Sequence, residues 1–128
     1  MTRKEAREAA FKLVFERVSL EYDNPVSVDL LAPVADLQSE YIRKIYKFAC
    51  ENFLEFSEKI EKAASRFELK RIYKVDLALI ILALVEINFI DDVPQKVAIN
   101  EVLELAKIYS SDKSSAYING ILGKILSE

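Results

Sequence analysis

The run from Leu77 to Val85 is wholly apolar, and with only Glu86 and Asn88 interrupting it the stretch continues to Ile90. At fourteen residues it falls short of the roughly 20 needed to cross a bilayer. It therefore predicts a helix enclosed on all sides by protein, since a helix that is apolar all round must be buried all round. The rest of the chain has to supply that enclosure. With 128 residues, 52% of them apolar, it suits a single domain spanning residues 1–128, because one core usually organises about 100–150 residues. Two glycines and three prolines are too few for a sandwich or barrel, which needs a turn every ten residues or so. The fold class expected is all-α.

Apolar spacing of three and four marks the remaining helices. Glu5 to Leu20 reads as a first amphipathic helix, broken by Asp23, Asn24 and Pro25, and Ser27 to Val34 as a short second one. Ser39 reads as an N-cap. One long helix follows it, or two joined near Ser57, carrying Ile42, Ile45, Ala49, Phe53, Phe56, Ile60, Ala63 and Phe67 on one face. Pro94 suits a first helical position, opening a helix that runs to about Tyr109. Ser110, Ser111, Asp112 and Ser114 offer caps for a last helix whose apolar face is Tyr117, Ile118, Ile121, Leu122 and Ile125. Six or seven helices result, with the run from Leu77 as their axle.

Composition also narrows the chemistry. Without histidine the chain lacks the usual general base and the commonest metal ligand. Its one cysteine, Cys50, admits no internal disulfide and no Cys/His metal cluster. A non-enzyme without cofactor or metal is expected. The N-terminus lacks the charged, apolar, small-residue order of a signal peptide, so a cytoplasmic protein without membrane attachment is expected. Glu101 with Glu104, and Asp91 with Asp92, read as solvated acids or helix N-terminal charges rather than magnesium ligands. Gly120 and Gly123 lie inside a helical pattern, where they favour close approach of another helix over phosphate binding. Periodicity pushes Glu86 toward the interior, and a structural hydrogen bond to a neighbouring helix end is favoured over catalysis.

The net charge of −3 does not suggest nucleic acid; its distribution allows a polarised surface, although charge runs on helices are more often plain solvated faces. Arg3, Lys4 and Arg7 face only Glu5 at the head of the chain. Lys59, Lys62, Arg66, Lys70, Arg71 and Lys74 outnumber Glu61 and Glu68 in a second segment. Cations in the first turn of a helix oppose its macrodipole at a few tenths of a kcal/mol each. Their placement makes sense if a polyanion docks there, where backbone donors and side chains converge on phosphates. Single-stranded RNA also needs stacking surfaces. The aromatics in range are Phe67, Tyr73, Tyr109 and Tyr117, of which Tyr117 alone is expected to be partly exposed, beside Lys113.

The segment Val93-Pro94-Gln95-Lys96-Val97-Ala98-Ile99-Asn100-Glu101, then Leu105-Ala106-Lys107, then Tyr117-Ile118-Asn119-Gly120-Ile121-Leu122 resembles the NusB family of bacterial transcription antitermination factors. Arg3-Lys4-Glu5-Ala6-Arg7-Glu8-Ala9 and Phe67-Glu68-Leu69-Lys70-Arg71, with Asp76 and Glu86 beyond, are similar to the same pattern. The resemblance implies seven helices in two packed bundles and no catalysis. It implies binding of boxA-type single-stranded RNA together with ribosomal protein NusE, within an RNA polymerase antitermination complex that reads through ribosomal RNA operons. Carried over by position, Arg3, Lys4 and Arg7 would meet RNA phosphates, with Lys113, Ser114 and Tyr117 lining the same site. Phe15 and Asp76 fall where the family contacts NusE. Two other readings stand beside it: a module like the N-terminal domain of rRNA cytosine methyltransferases, and a protein-interaction bundle without RNA affinity. Dimerisation through an apolar face stays open under each.

Three departures from the family pattern carry consequences. Glu5 stands where the run is often basic, which lowers the number of phosphates neutralised. Ile81 replaces an arginine, which leaves Asp76 and Glu86 without an expected internal cation. Phe67 replaces a common tryptophan, a change of volume a core can absorb.

Overall fold

A computed structural model describes residues 1–64 and 71–127 of the chain. Among the described residues there are seven helices and no strand: α1 (Arg3–Leu20), α2 (Pro25–Leu31), α3 (Ser39–Glu51), α4 (Phe53–Ala64), α5 (Lys74–Phe89), α6 (Gln95–Tyr109) and α7 (Asp112–Leu126). The readings made of Arg66, Phe67, Glu68, Leu69 and Lys70 lie outside the described residues. None of the helices is long and apolar enough to cross a membrane.

Helix α5 is the axle. Every residue from Asp76 to Glu86 is buried, because α1, α3, α4, α6 and α7 all pack against it. Helices α1, α2 and α3 contact one another on one side, while α6 and α4 each contact α7 on the other. These are the two packed bundles, and α5 belongs to both. Each leucine or isoleucine buried along α5 contributes about 1.5–3 kcal/mol relative to exposure, so the apolar run sets the topology around it.

Several helix ends differ from the expectation for local reasons. Helix α2 runs from Pro25 to Leu31 rather than from Ser27 to Val34, since Pro25 fits a first helical position and Pro33 disfavours helical backbone at Ala32. Gln38, not Ser39, flanks α3. The Ser39 hydroxyl instead donates to the carbonyl of Pro33, tying the preceding turn to the helix. The long apolar face divides at Asn52 rather than near Ser57. The Asn52 side-chain amide donates to the Phe48 carbonyl at 2.8 Å and so satisfies an end group of α3. Pro94 precedes α6 in extended backbone instead of occupying its first turn. Gly120 and Gly123 do not serve close helix approach: a Cβ at either would meet nothing within 4 Å.

Candidate nucleic-acid interface

The head of α1 is held by a reciprocal cap. The Glu5 backbone N–H donates to the Thr2 hydroxyl at 3.1 Å, and the Thr2 N–H donates to the Glu5 carboxylate at 2.8 Å. The bond from the Thr2 backbone lowers the Glu5 pKa, with the hydroxyl contact adding to it. Glu5 is thus turned onto its own helix end in a capping box. The N-terminal ammonium closes the same corner with a 2.9 Å contact to Asp36.

On this platform the three basic residues have different fates. Lys4 is exposed and has no ion pair among the described residues. Arg3 is held in place without being covered. Its guanidinium lies 4.2 Å from the Tyr41 ring centroid, its Nε donates to Gln38 at 2.8 Å, and the side chain stays 34% exposed. Its contact with the exposed Asp92 is 3.7 Å, a surface pair of small energetic weight. Arg3 and Lys4 line a groove of about 490 Å³ together with Arg7, Gln38, Asp92 and Glu101. Arg7 lines the same groove from a buried position. Its side chain is 5% exposed, with Nε 2.6 Å and Nη2 3.1 Å from the two carboxylate oxygens of Glu86. Its Nη1 lies 3.6 Å from Glu101. The guanidinium is thereby engaged by carboxylates of α5 and α6 at the inner wall of the groove.

The same network corrects two readings of Glu86. Its partners are side chains, Arg7 and the Tyr41 hydroxyl at 2.8 Å, and not a helix end. The internal cation that Ile81 does not supply comes from α1 instead. Burial of Arg7 alone would lower its pKa; the hydrogen bonds it donates to Glu86, with the nearby oxygens of Tyr41 and Glu101, outweigh this and raise it. Tyr41 is shifted upward as well, by burial first and then by the Glu86 charge.

Lys113, Ser114 and Tyr117 come together at the start of α7, which Ser111 caps by accepting from the Ser114 N–H at 3.1 Å. They line a cavity of about 400 Å³ with Arg71, Tyr73 and Asp76. Lys113 is exposed, Tyr117 half-buried and Ser114 buried. The Ser114 hydroxyl donates to Asp76 Oδ2 at 3.1 Å and shares a 2.7 Å bond with the Ser110 hydroxyl. This cavity and the Arg3–Lys4 groove are not one pocket. Asp76 and Glu86 mark their positions along α5, ten residues apart, about 15 Å at 1.5 Å per residue.

The remaining residues complete the geometry. Asp76 is 3% exposed, so any partner group must enter the cavity to reach it. Burial raises its pKa, opposed by the Ser114 and Ser110 hydroxyls. Phe15 is half-buried and tilted against Phe11, their ring centroids 6.2 Å apart. Tyr117 is not alone in its exposure: Tyr73 is 74% and Tyr109 38% exposed. The Tyr109 hydroxyl donates to Glu8 at 2.7 Å while its ring packs 5.0 Å from Phe11. Sequence reasoning missed Gln38 and Tyr41, whose partners on α1 lie 35 or more residues away and leave no local signal.

The sequence profile of the NusB family matches residues 4–127. The chain is 40% identical to the transcription antitermination protein NusB of Listeria welshimeri over 130 residues, covering 100% of this chain and 98% of that protein. Its structure superposes on that of T. maritima NusB with a TM-score of 0.84 at 28% identity, covering 100% of this chain and 92% of the other. A crystal structure of the antitermination factors NusB and NusE with double-stranded RNA shares the fold, with a TM-score of 0.82 at 24% identity over 98% of this chain and 96% of that one. The chain belongs to the NusB family.

Proposed function

We propose that this protein is a cytoplasmic, non-catalytic transcription antitermination factor, a single domain that binds boxA-type single-stranded RNA together with ribosomal protein NusE. Family membership supports the reading, since the curated relatives bear the name of transcription antitermination protein. So does the solved NusB fold paired with NusE and RNA. The observation that carries it on this chain is the head of α1, where Lys4 is exposed and Arg3 is fixed over Tyr41 beside an open groove.

In this reading phosphates meet Arg3, Lys4 and Lys113, all three exposed or partly so. Arg7 acts from inside, bracing α1 on α5 and α6 and so presenting its neighbours. A phosphodiester brought to Arg3 finds a planar donor already immobilised by ring stacking, which reduces the side-chain ordering required on binding. The NusE contact falls to the half-buried aromatic face of Phe15. Asp76, at the floor of its cavity, is the second residue of that contact. The test is purification of the tagged protein from native extract with RNA preserved. Co-recovery of NusE and ribosomal leader transcripts supports the function, and recovery of neither contradicts it.

A further inference from the structure

Helix α2 is apolar on two faces and covered on one. Val28 is buried and Leu31 packs partly against the core, on the side where α2 meets α1 and α3. Val26 and Leu30, one helical turn apart, are instead 66% and 75% exposed, and in the turns before α3 Val34 and Leu37 are 96% and 97% exposed. Four large aliphatic side chains within twelve residues are thus left in water. Single apolar residues on a surface need no explanation, but a group of them marks an interaction site.

The charge around them is one-sided. From Val18 to Ile42 the chain holds five acids, Glu21, Asp23, Asp29, Asp36 and Glu40, and no lysine or arginine. Asp36 is engaged by the N-terminal ammonium. Asp23 and Asp29 meet Arg17 and Arg43 of the flanking helices yet stay mostly exposed, and such surface pairs are worth little. Glu21 and Glu40 are exposed as well.

We propose that this face docks a basic amphipathic helix of a partner protein, its apolar stripe covering the four aliphatic side chains and its Lys or Arg residues facing the surrounding carboxylates. Side chains four apart on a helix, as Val26 and Leu30 are, form the ridge against which a second helix packs. Carboxylates around an apolar patch select a cationic partner and repel a polyanion, which sets this face apart from the groove of Arg3 and Lys4. A second copy in a two-fold contact would bring the same acids together. The face is also separate from Phe15, which lies toward α6 through Phe11 and Tyr109. The partner helix is therefore additional to the RNA and NusE of the functional reading and does not depend on them.

The test is a heteronuclear NMR titration of the full chain with two synthetic amphipathic helices of about 14 residues, one of leucine and lysine, the other of leucine and glutamate. The leucine–lysine peptide should bind about tenfold more tightly than its acidic counterpart, with the largest shifts confined to α2 and the turns before α3. The double variant Leu30→Ser, Leu37→Ser should weaken that binding about tenfold. Asp29→Asn with Glu40→Gln should weaken it about fivefold and flatten its salt dependence. All four substituted side chains are exposed, so melting temperatures should match the wild type, and either double variant carries the test if the other does not fold. No binding of the leucine–lysine peptide, equal binding of both peptides, shifts centred elsewhere, or wild-type affinity in both variants overturns the proposal. So does a wild-type dimer in sedimentation that Leu30→Ser, Leu37→Ser disperses, which assigns the face to a second copy. Shifts of the same residues by a uridine homopolymer overturn it too, by assigning the face to RNA.

Discussion

Arg7 and Glu86, 79 residues apart in sequence, form a buried bidentate pair that fastens the first helix to the central one. The pair is completed by the Tyr41 hydroxyl, so α1, α3 and α5 meet at a single carboxylate. Removing one partner strands the other charge in the core. Arg7→Ala is expected to lower unfolding stability by about 3–5 kcal/mol, read by urea titration. A variant as stable as the wild type contradicts the structural role given to Arg7.

Asp76 makes stability depend on pH in a definite direction. Burial raises its pKa above the usual carboxylate value. The folded chain therefore retains a proton that the unfolded chain has released, and stability falls as pH rises through that window. Asp76→Asn has no proton to lose. The stability of this variant relative to wild type should increase as pH rises from about 4 toward neutrality, measured by urea unfolding at stepped pH. A difference that is flat or shrinks contradicts the assignment.

Cys50 is predicted to be a sluggish thiol. Burial, aided by the Asp23 carboxylate, pushes its pKa up to about 11. Only the thiolate reacts, so alkylation by iodoacetamide near pH 8 should run about a hundredfold slower than for an unperturbed thiol. The contrast should vanish in denaturant. Equal rates in folded and unfolded protein contradict it.

Gly120 and Gly123 sit within α7 facing open space. Alanine there restricts the unfolded chain and fits the helix, so Gly120→Ala should stabilise the protein by about 0.5–1 kcal/mol. A lower melting temperature for that variant contradicts the open surroundings described.

The fold was legible where a pattern repeats locally. The unbroken run from Leu77 announced a buried α5, and spacing of three and four located its neighbours. Ends were less legible because they depend on particular backbone contacts, such as the Ser39 bond to Pro33 and the Asn52 bond to Phe48. At the candidate site, the sequence presents Arg3, Lys4 and Arg7 as one basic group at the head of a helix. A helix rotates successive residues by about 100°, which turns Lys4 away from Arg3. Arg3 and Arg7, four apart, share a face and differ in depth because Arg7 sits one turn further in, where α5 packs against α1. Lys4 faces water, Arg3 a tyrosine ring, and Arg7 the core. That Glu86 would meet Arg7 depends on a contact between distant segments, and no local spacing encodes it.

The central claim is that Arg3 and Lys4 grip an RNA backbone. The direct measurement is the salt dependence of single-stranded RNA binding by anisotropy, for the wild type and for the double variant Arg3→Ala, Lys4→Ala. With Arg3, Lys4 and Lys113 on phosphates, log K should fall with log salt at a slope of about −2, since each phosphate contributes about 0.7. The double variant should bind more weakly, with its slope reduced to about −0.7. An unchanged slope and affinity would place the RNA elsewhere on the molecule and contradict the account.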